Sequence, residues 1–334
     1  MTRPTSEALD KLLFKQIPVL PPHGFIRVLD YMGNDQAIVD AARVSYGDGT
    51  KKTSGNAGLI NYLMRHSHTS PFEMCEIKFH IKMPIFVARQ WIRHRTASLN
   101  EYSARYSVMR DEFYIPDMTT LAPQSSTNKQ GRAPDPLPDD FANDIINVMK
   151  SCSRQQRDAY EWMLAPDQRE VPYGQNKDSG PNLCKKSDSR GNTGRDDLII
   201  VSPIAPTGQM SAEVSPTNAA GLSRELARIV LPLNTFTEMY WKIDLHNLMH
   251  FLRLRADSKA QLEIRAYAEE MLKIVKEWVP LTYVAMMEYK IEAVMLSGRA
   301  RSVVKRMVAG EVVSREDSGL SAGEWNELIE TLKK

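Results

Sequence analysis

Apolar and polar residues alternate along residues 75–83, with Cys75, Ile77, Phe79 and Ile81 set against Glu76, Lys78, His80 and Lys82. A period of two puts one set on each face of a strand, so the stretch predicts a strand with one buried face in an antiparallel sheet. Residues 24–31 alternate in the same way over a shorter run. Residues 34–45 and 58–65 follow helical spacing instead. Ile38, Ala41, Ala42 and Val44 turn inward in the first, and Leu59, Ile60 and Leu63 in the second. Pro84 suits a first helical position, where no N–H is needed, and predicts a helix from Ile85 to about Arg95. On it Ile85, Ala88 and Ile92 form the core-facing stripe, while Gln90, Arg93 and His94 share a polar face. Residues 96–102 then follow as a loop.

Residues 123–139, rich in Pro, Ser, Asn and Asp, read as an exposed loop, and 140–164 as a long amphipathic helix. Residues 165–215 are polar and irregular, with only 198–201 suited to a strand. A stretch of that length inside a compact domain reads as a lid, an insertion or a disordered excursion. Helical spacing returns at 218–231, where Pro232 ends it, and again at 234–250 and 259–278. Residues 244–255 also read as a helix, with Leu245, Leu248, Met249 and Leu252 inward. The tail from Arg299 is charged, and Ser321 followed by Glu324 is a capping-box start for one short surface helix.

The 334 residues are 42% hydrophobic and 25% charged, ordinary values for a globular protein. A formal charge of +2 excludes a polybasic role, so any anion chemistry must come from individually placed cations. Cys75, Cys152 and Cys184 lie far apart without a CxxC pair, which points away from disulfides and zinc and towards a reducing compartment. No signal-peptide core opens the chain, and no apolar run reaches the roughly 20 residues of a membrane span. A cytoplasmic protein with no membrane partner is expected.

Candidate chemistry gathers behind the apolar run 83–88. Arg93, His94 and Arg95 are followed by Glu101, Ser103 and Arg105. Guanidinium groups match phosphate oxygens bidentately and stack on flat rings. A histidine between two arginines is expected to stay neutral and serve as a hydrogen-bond partner. The bland account of the triplet is a solvated helix end complementing the helix dipole. Ser103 lacks a G-x-S-x-G elbow, so it does not read as a hydrolase nucleophile. His66 and His68 have no further ligand at metal spacing, which leaves capping or cofactor contact. A third group comprises Arg228, Asp244, His246, His250 and Arg255. Neither G-x-G-x-x-G nor G-x-x-x-x-G-K-[ST] occurs.

Arg93-His94-Arg95, seven residues and then Ser103 resembles the RHR-x7-S signature of flavin-dependent thymidylate synthases. Further blocks resemble the family in order: 41–45, 68–73, 88–91, 100–107, 227–232 and 248–256. The resemblance spans about 24–122 and 218–290. It implies an α+β fold, a twisted and largely antiparallel sheet with a long-helix bundle, in one catalytic domain over 20–300 with an insertion at about 165–215. A charged extension, 301–334, would follow. It also implies conversion of dUMP to dTMP, with methylenetetrahydrofolate as carbon donor, FAD as hydride carrier and NADPH as reductant.

Carried over by position, Ser70, Arg93, His94, Arg95, Glu101, Asp244, His246 and His250 would contact FAD, with Ser45 and His68 beside them. Gln90, Trp91, Ile92, Arg93, Glu101, Tyr102, Ser103, Ala104, Arg105, Arg228 and Arg255 would hold dUMP. Arg255 and Ser103 would be the catalytic pair. Arg255 would favour ionisation at uracil N3, and Ser103 would donate a hydrogen bond. No metal is implied. Ala104 stands where the family often has glycine, and Asp244 and His250 where some members carry asparagine. Family members are homotetramers with shared active sites, so the Arg93 and Arg255 helices need not meet within one chain. The alternatives are a nucleotide- or RNA-binding module, against which the near-neutral charge and missing RNA-binding motifs weigh, and a flavoprotein of the same fold with another substrate.

Overall fold

The computed structural model describes residues 3–44, 55–126, 131–165 and 221–333. Ser45, Cys184, the candidate strand at 198–201 and nearly all of 165–215 lie outside the described residues. In chain order the elements are α1 (Glu7–Asp10), β1 (Ile17–Pro18), β2 (Phe25–Met32), α2 (Asp35–Val44), α3 (Asn56–Arg65), α4 (Ser70–Glu73), β3 (Glu76–Pro84), α5 (Ile85–Trp91) and β4 (Ser98–Glu101). There follow α6 (Asp139–Leu164), α7 (Arg224–Ala227), β5 (Phe236–Asp244), α8 (Leu245–Arg255), α9 (Leu262–Trp278), α10 (Pro280–Met286), α11 (Gly298–Val308), α12 (Arg315–Ser318) and α13 (Ala322–Lys333). The chain divides into two compact units. The first holds Met1–Tyr102, Ala122–Asp135 and Phe236–Lys334, and the second Ser103–Leu121 and Pro136–Thr235.

The first unit is built on a five-stranded antiparallel sheet of order β1-β2-β3-β5-β4. β3 alternates as its sequence predicts, with Ile77, Phe79 and Ile81 fully buried. β5 pairs with it along its whole length, from Glu76 opposite Asp244 to Pro84 opposite Phe236. This corrects the helix expected over 234–250. Its first part is a strand in which Thr237, Met239, Trp241 and Ile243 alternate inward, and the helix begins only at Leu245. On the other sheet face Lys78 stands opposite Lys242. The two like charges are offset by ion pairs to Asp30 (3.8 Å) and Glu76 (2.6 Å) respectively.

Helices α2, α8, α9 and α10 join the buried sheet face in one core. Asp35 at the start of α2 accepts hydrogen bonds from the Leu281 and Thr282 N–H groups at 2.8 and 3.0 Å, satisfying free donors in the first turn of α10. Ala42 is buried on α2 as expected, but Val44 is 82% exposed and Val39 takes its place. The C-terminal segment forms three helices, not one. Ala300, Val303, Val313, Leu320 and Leu328 make a small core of their own. The Ser321 cap is present, its hydroxyl accepting from Glu324 N–H at 3.2 Å.

In the second unit α6 forms as predicted. The helix expected over 218–231 is reduced to the single turn α7 and a 3-10 turn at Arg228–Val230. Leu222 N–H donates to the Met163 carbonyl at 2.6 Å. A Cβ on Gly221 would lie 2.0 Å from the Leu164 carbonyl oxygen, so only glycine fits there. No described helix is long and apolar enough to cross a membrane.

Candidate active site

Helix α5 ends earlier than its sequence suggests. Its last backbone bond runs from Ile92 N–H to Ala88 C=O, and His94 N–H closes a turn on Trp91 C=O. Trp91 is fully buried, with its ring centroid 4.6 Å from that of Phe251 and 5.3 Å from that of Trp241. Its indole is therefore a core anchor, and a substrate contact by that side chain is excluded. The core stripe of α5 is Val87, Ala88 and Trp91, while Ile92 is exposed. Beyond the turn, residues 98–101 do not form a loop but pair with β5 as β4, and Tyr102 N–H continues the ladder to Glu238 C=O at 2.8 Å. Residues 92–97 are thus held at both ends, by a buried indole and by a sheet edge. Arg93, His94 and Arg95 lie on that turn, beyond the end of α5, so Arg93 and His94 do not share a helix face with Gln90 as the spacing predicts.

His94 and Arg255 meet within one chain, although shared active sites would not require it. Arg255, the last residue of α8, donates through Nε to His94 Nε2 at 3.0 Å. Guanidinium nitrogens only donate, so His94 Nε2 carries no proton and the ring is the Nδ1–H tautomer. Burial, the Arg255 cation and His250, in that order, push the His94 pKa down to about 4. The direction agrees with the neutral imidazole expected from the sequence, but burial is its first cause and the cation that adds to it is Arg255 rather than a flanking arginine. Phe251 closes on the His94 ring edge-on at 4.8 Å, and the His250 ring centroid lies 6.0 Å away.

Neither Arg93 nor Arg95 forms an ion pair among the described residues, and both are exposed. Glu101 Oε1 accepts from Thr237 Oγ1 at 2.8 Å, which fixes the carboxylate at the sheet edge. Gln90 is engaged by Gln261. Asp244 caps α8, accepting from Asn247 N–H (2.9 Å) and from the Asn247 side-chain amide (2.7 Å). His246 and His250 follow on that helix, and exposed Ser70 opens α4, which packs against it. His66 and His68 form an exposed ring cluster with Tyr62. Among the described residues no group of three His, Cys, Asp or Glu is able to hold a metal ion.

The remaining predicted residues belong to the second unit. Ser103 Oγ accepts from Arg105 N–H at 3.3 Å, while Ser103 C=O accepts from Tyr106 N–H at 3.0 Å, so the segment is a tight turn. The guanidinium of Arg105 lies 5.4 Å from the Tyr106 ring centroid. Ala104 packs against an apolar cluster of Met109, Tyr160 and Ala227, so the methyl group at this position has a seat. Arg228 is exposed, its Nε bonded to Glu225 C=O at 3.2 Å. A cleft of about 650 Å³ is lined by Arg105, Tyr106, Val108, Leu164, Ser223 and Arg224. Arg224, Thr237 and Phe251 were not singled out from the sequence. Thr237 and Phe251 gain their roles through pairings distant in the chain, which leave no local signal.

The first unit thus presents exposed Arg93 and Arg95, without an ion pair among the described residues, on the turn that carries the His94–Arg255 bond, on an α+β frame. Residues 27–281 match the family model described as thymidylate synthase complementing protein. The chain is 50% identical over 326 residues to the flavin-dependent thymidylate synthase of Rickettsia bellii, covering 98% of this chain and 96% of that one. It is 50% identical over 331 residues to that of Gluconobacter oxydans, covering 99% and 92%. The chain therefore belongs to the flavin-dependent thymidylate synthase family. Among solved structures it is similar to PolB, a UMP/dUMP methylase from Streptomyces cacaoi bound with 5-Br dUMP. The TM-score is 0.59 and the identity 27%, over 80% of this chain and 95% of that one.

Proposed function

We propose that this protein converts dUMP to dTMP, taking the carbon from methylenetetrahydrofolate, with FAD as its flavin and NADPH as reductant. The observation that carries the reading is the bond from Arg255 Nε to a neutral His94. It uses one donor of the guanidinium to fix its plane and leaves the terminal nitrogens to face a ligand. A cation held this way stabilises negative charge developing on a uracil ring, and it is not neutralised by its own partner. Exposed Arg93 and Arg95, without an ion pair among the described residues, are a donor set that fits the phosphates of FAD and dUMP. Ser70, Asp244, His246 and His250 would complete the flavin contacts. Asp244 would do so while capping α8, and neutral His94 would leave a ring N–H to donate.

Bound flavin supplies the hydride, and the protein's own groups hold, polarise and shield. Glu101, steadied by Thr237, would accept from a ring N–H or a ribose hydroxyl. Gln90, Ile92, Tyr102, Ala104, Arg105 and Arg228 would complete the dUMP set, Trp91 contributing backbone only. Ser103, whose oxygen already accepts from Arg105 N–H, keeps its proton to donate to substrate, and among the described residues no base is bonded to it to make it a nucleophile. The working form would be a homotetramer with shared active sites and a single catalytic domain spanning 20–300 in each subunit.

The test is NADPH oxidation by the FAD-loaded protein, with and without dUMP and methylenetetrahydrofolate, read alongside dTMP formation. We expect a yellow protein whose oxidation rate rises with dUMP and which releases dTMP. A protein that cannot be loaded with FAD, or a loaded one that makes no dTMP, overturns the proposal.

A further inference from the structure

Two polar side chains buried on one face of α6 take both backbone groups of a single loop residue. Tyr160 is fully buried, and its hydroxyl accepts from Met109 N–H at 3.2 Å. Arg157, 8% exposed, donates through Nη1 to the Met109 carbonyl and through Nε to Glu161 at 2.7 Å. Its guanidinium also lies 5.4 Å from the Tyr160 ring centroid. Desolvating an arginine is unfavourable unless it is well paired. Here part of its bonding capacity is directed at one loop carbonyl.

That loop is the one that opens with Ser103. Between Ser103 and Met109 the Tyr106 carbonyl accepts from Arg224 Nη1 at 3.1 Å, and Tyr106 and Ser107 N–H groups both fold back on Ser103 C=O. Ala104 rests on the same Met109, Tyr160 and Ala227 cluster. The segment has no strand or helix of its own, so side chains of α6 and α7 take the place of a backbone ladder.

We propose that Arg157 and Tyr160 are positioning residues for substrate: by fixing Met109 they set the Ser103–Arg105 turn in the conformation that binds dUMP. The inference rests on the dUMP reading given above. It follows the general rule that a binding loop held in its bound shape before the ligand arrives loses less on binding. Neither residue needs to touch substrate.

Tyr160→Phe keeps the ring in the core and removes only the acceptor of Met109 N–H. In the FAD-loaded enzyme we expect faster hydrogen exchange at the Met109 amide and a KM for dUMP raised about tenfold, the scale of one lost buried hydrogen bond. We expect kcat to change far less and flavin content not at all. Arg157→Met should act in the same direction, and Arg157→Lys should recover part of the loss. Should Arg157→Met fail to fold, Tyr160→Phe carries the test. A purely structural role would lower the melting temperature and leave the KM of the folded fraction unchanged. An unchanged KM in Tyr160→Phe overturns the proposal, whether or not exchange at Met109 speeds up. Wild-type enzyme that neither binds nor converts dUMP would refute the substrate reading instead, a result separable from normal wild-type turnover with indifferent variants.

Discussion

The two units hold their candidate site residues in different ways. In the first, Arg255 ends a helix, Asp244 joins a strand to a helix, and Glu101 ends a strand paired to β5. Repeating backbone hydrogen bonds and a large core set those positions, and the functional side chains are additions to them. In the second, Ser103 and Arg105 sit on a turn whose backbone is held by Arg224, Arg157 and Tyr160. A frame of the first kind tolerates loss of its functional groups. A frame of the second kind is itself made of a few side chains, so changing one of them moves the site.

The largest effect should come from Arg255→Ala. Loss of a fixed donor to developing charge lowers kcat by about 10²–10³-fold. The far-UV circular dichroism and melting temperature should stay close to wild type, because Arg255 contributes to the frame only at its end. Wild-type turnover in the variant would refute its catalytic assignment, and a collapsed fold would erase the contrast drawn between the units. Gly221→Ala probes the other unit without touching a functional group. Its methyl must displace the Leu164 carbonyl, and overpacking of this kind costs about 1–3 kcal/mol. A melting temperature unchanged from wild type would mean that this junction yields freely.

The smallest effect concerns pH. His94 is held at a pKa of about 4 against an ordinary 6.5. Above pH 6.5 it is neutral both folded and unfolded. As pH falls from 6.5 to about 4 the unfolded chain takes up a proton that the folded one refuses, so stability is lost across that window and no further below it. Replacing His94 by Gln should flatten the pH dependence of urea unfolding between 6.5 and 4. Parallel profiles for the two proteins would show that His94 is not the titrating group.

Much of the first unit could be read from the chain, because β3, α2 and α9 carry strong local periods. β5 reads as helix in the sequence for a definable reason. Phe236, Met239, Tyr240 and Ile243 also fit a helical spacing, and what decides for a strand is pairing with β3, far away in sequence. The over-long α5 has a similar cause. Nothing between Trp91 and Arg95 breaks a helix locally; the buried indole and the pairing of β4 end it. The arginines and Ser103 stood out through their chemistry and spacing. The bond between His94 and Arg255 did not, nor did the hold of Arg157 and Tyr160 on Met109, since each joins residues that no short pattern links.

The bond from Leu222 N–H to Met163 C=O holds the two residues that flank the 166–220 stretch close together, which makes that place a natural port. Closing a chain between fixed neighbouring ends becomes only slowly harder as the span lengthens. Residues 166–220 could therefore be exchanged for a short linker, a reporter or a whole foreign domain, provided Gly221 and the Met163–Leu222 bond are kept. The same junction offers a place to open new chain ends by permutation, with the Arg255 and Ser103 segments both left intact.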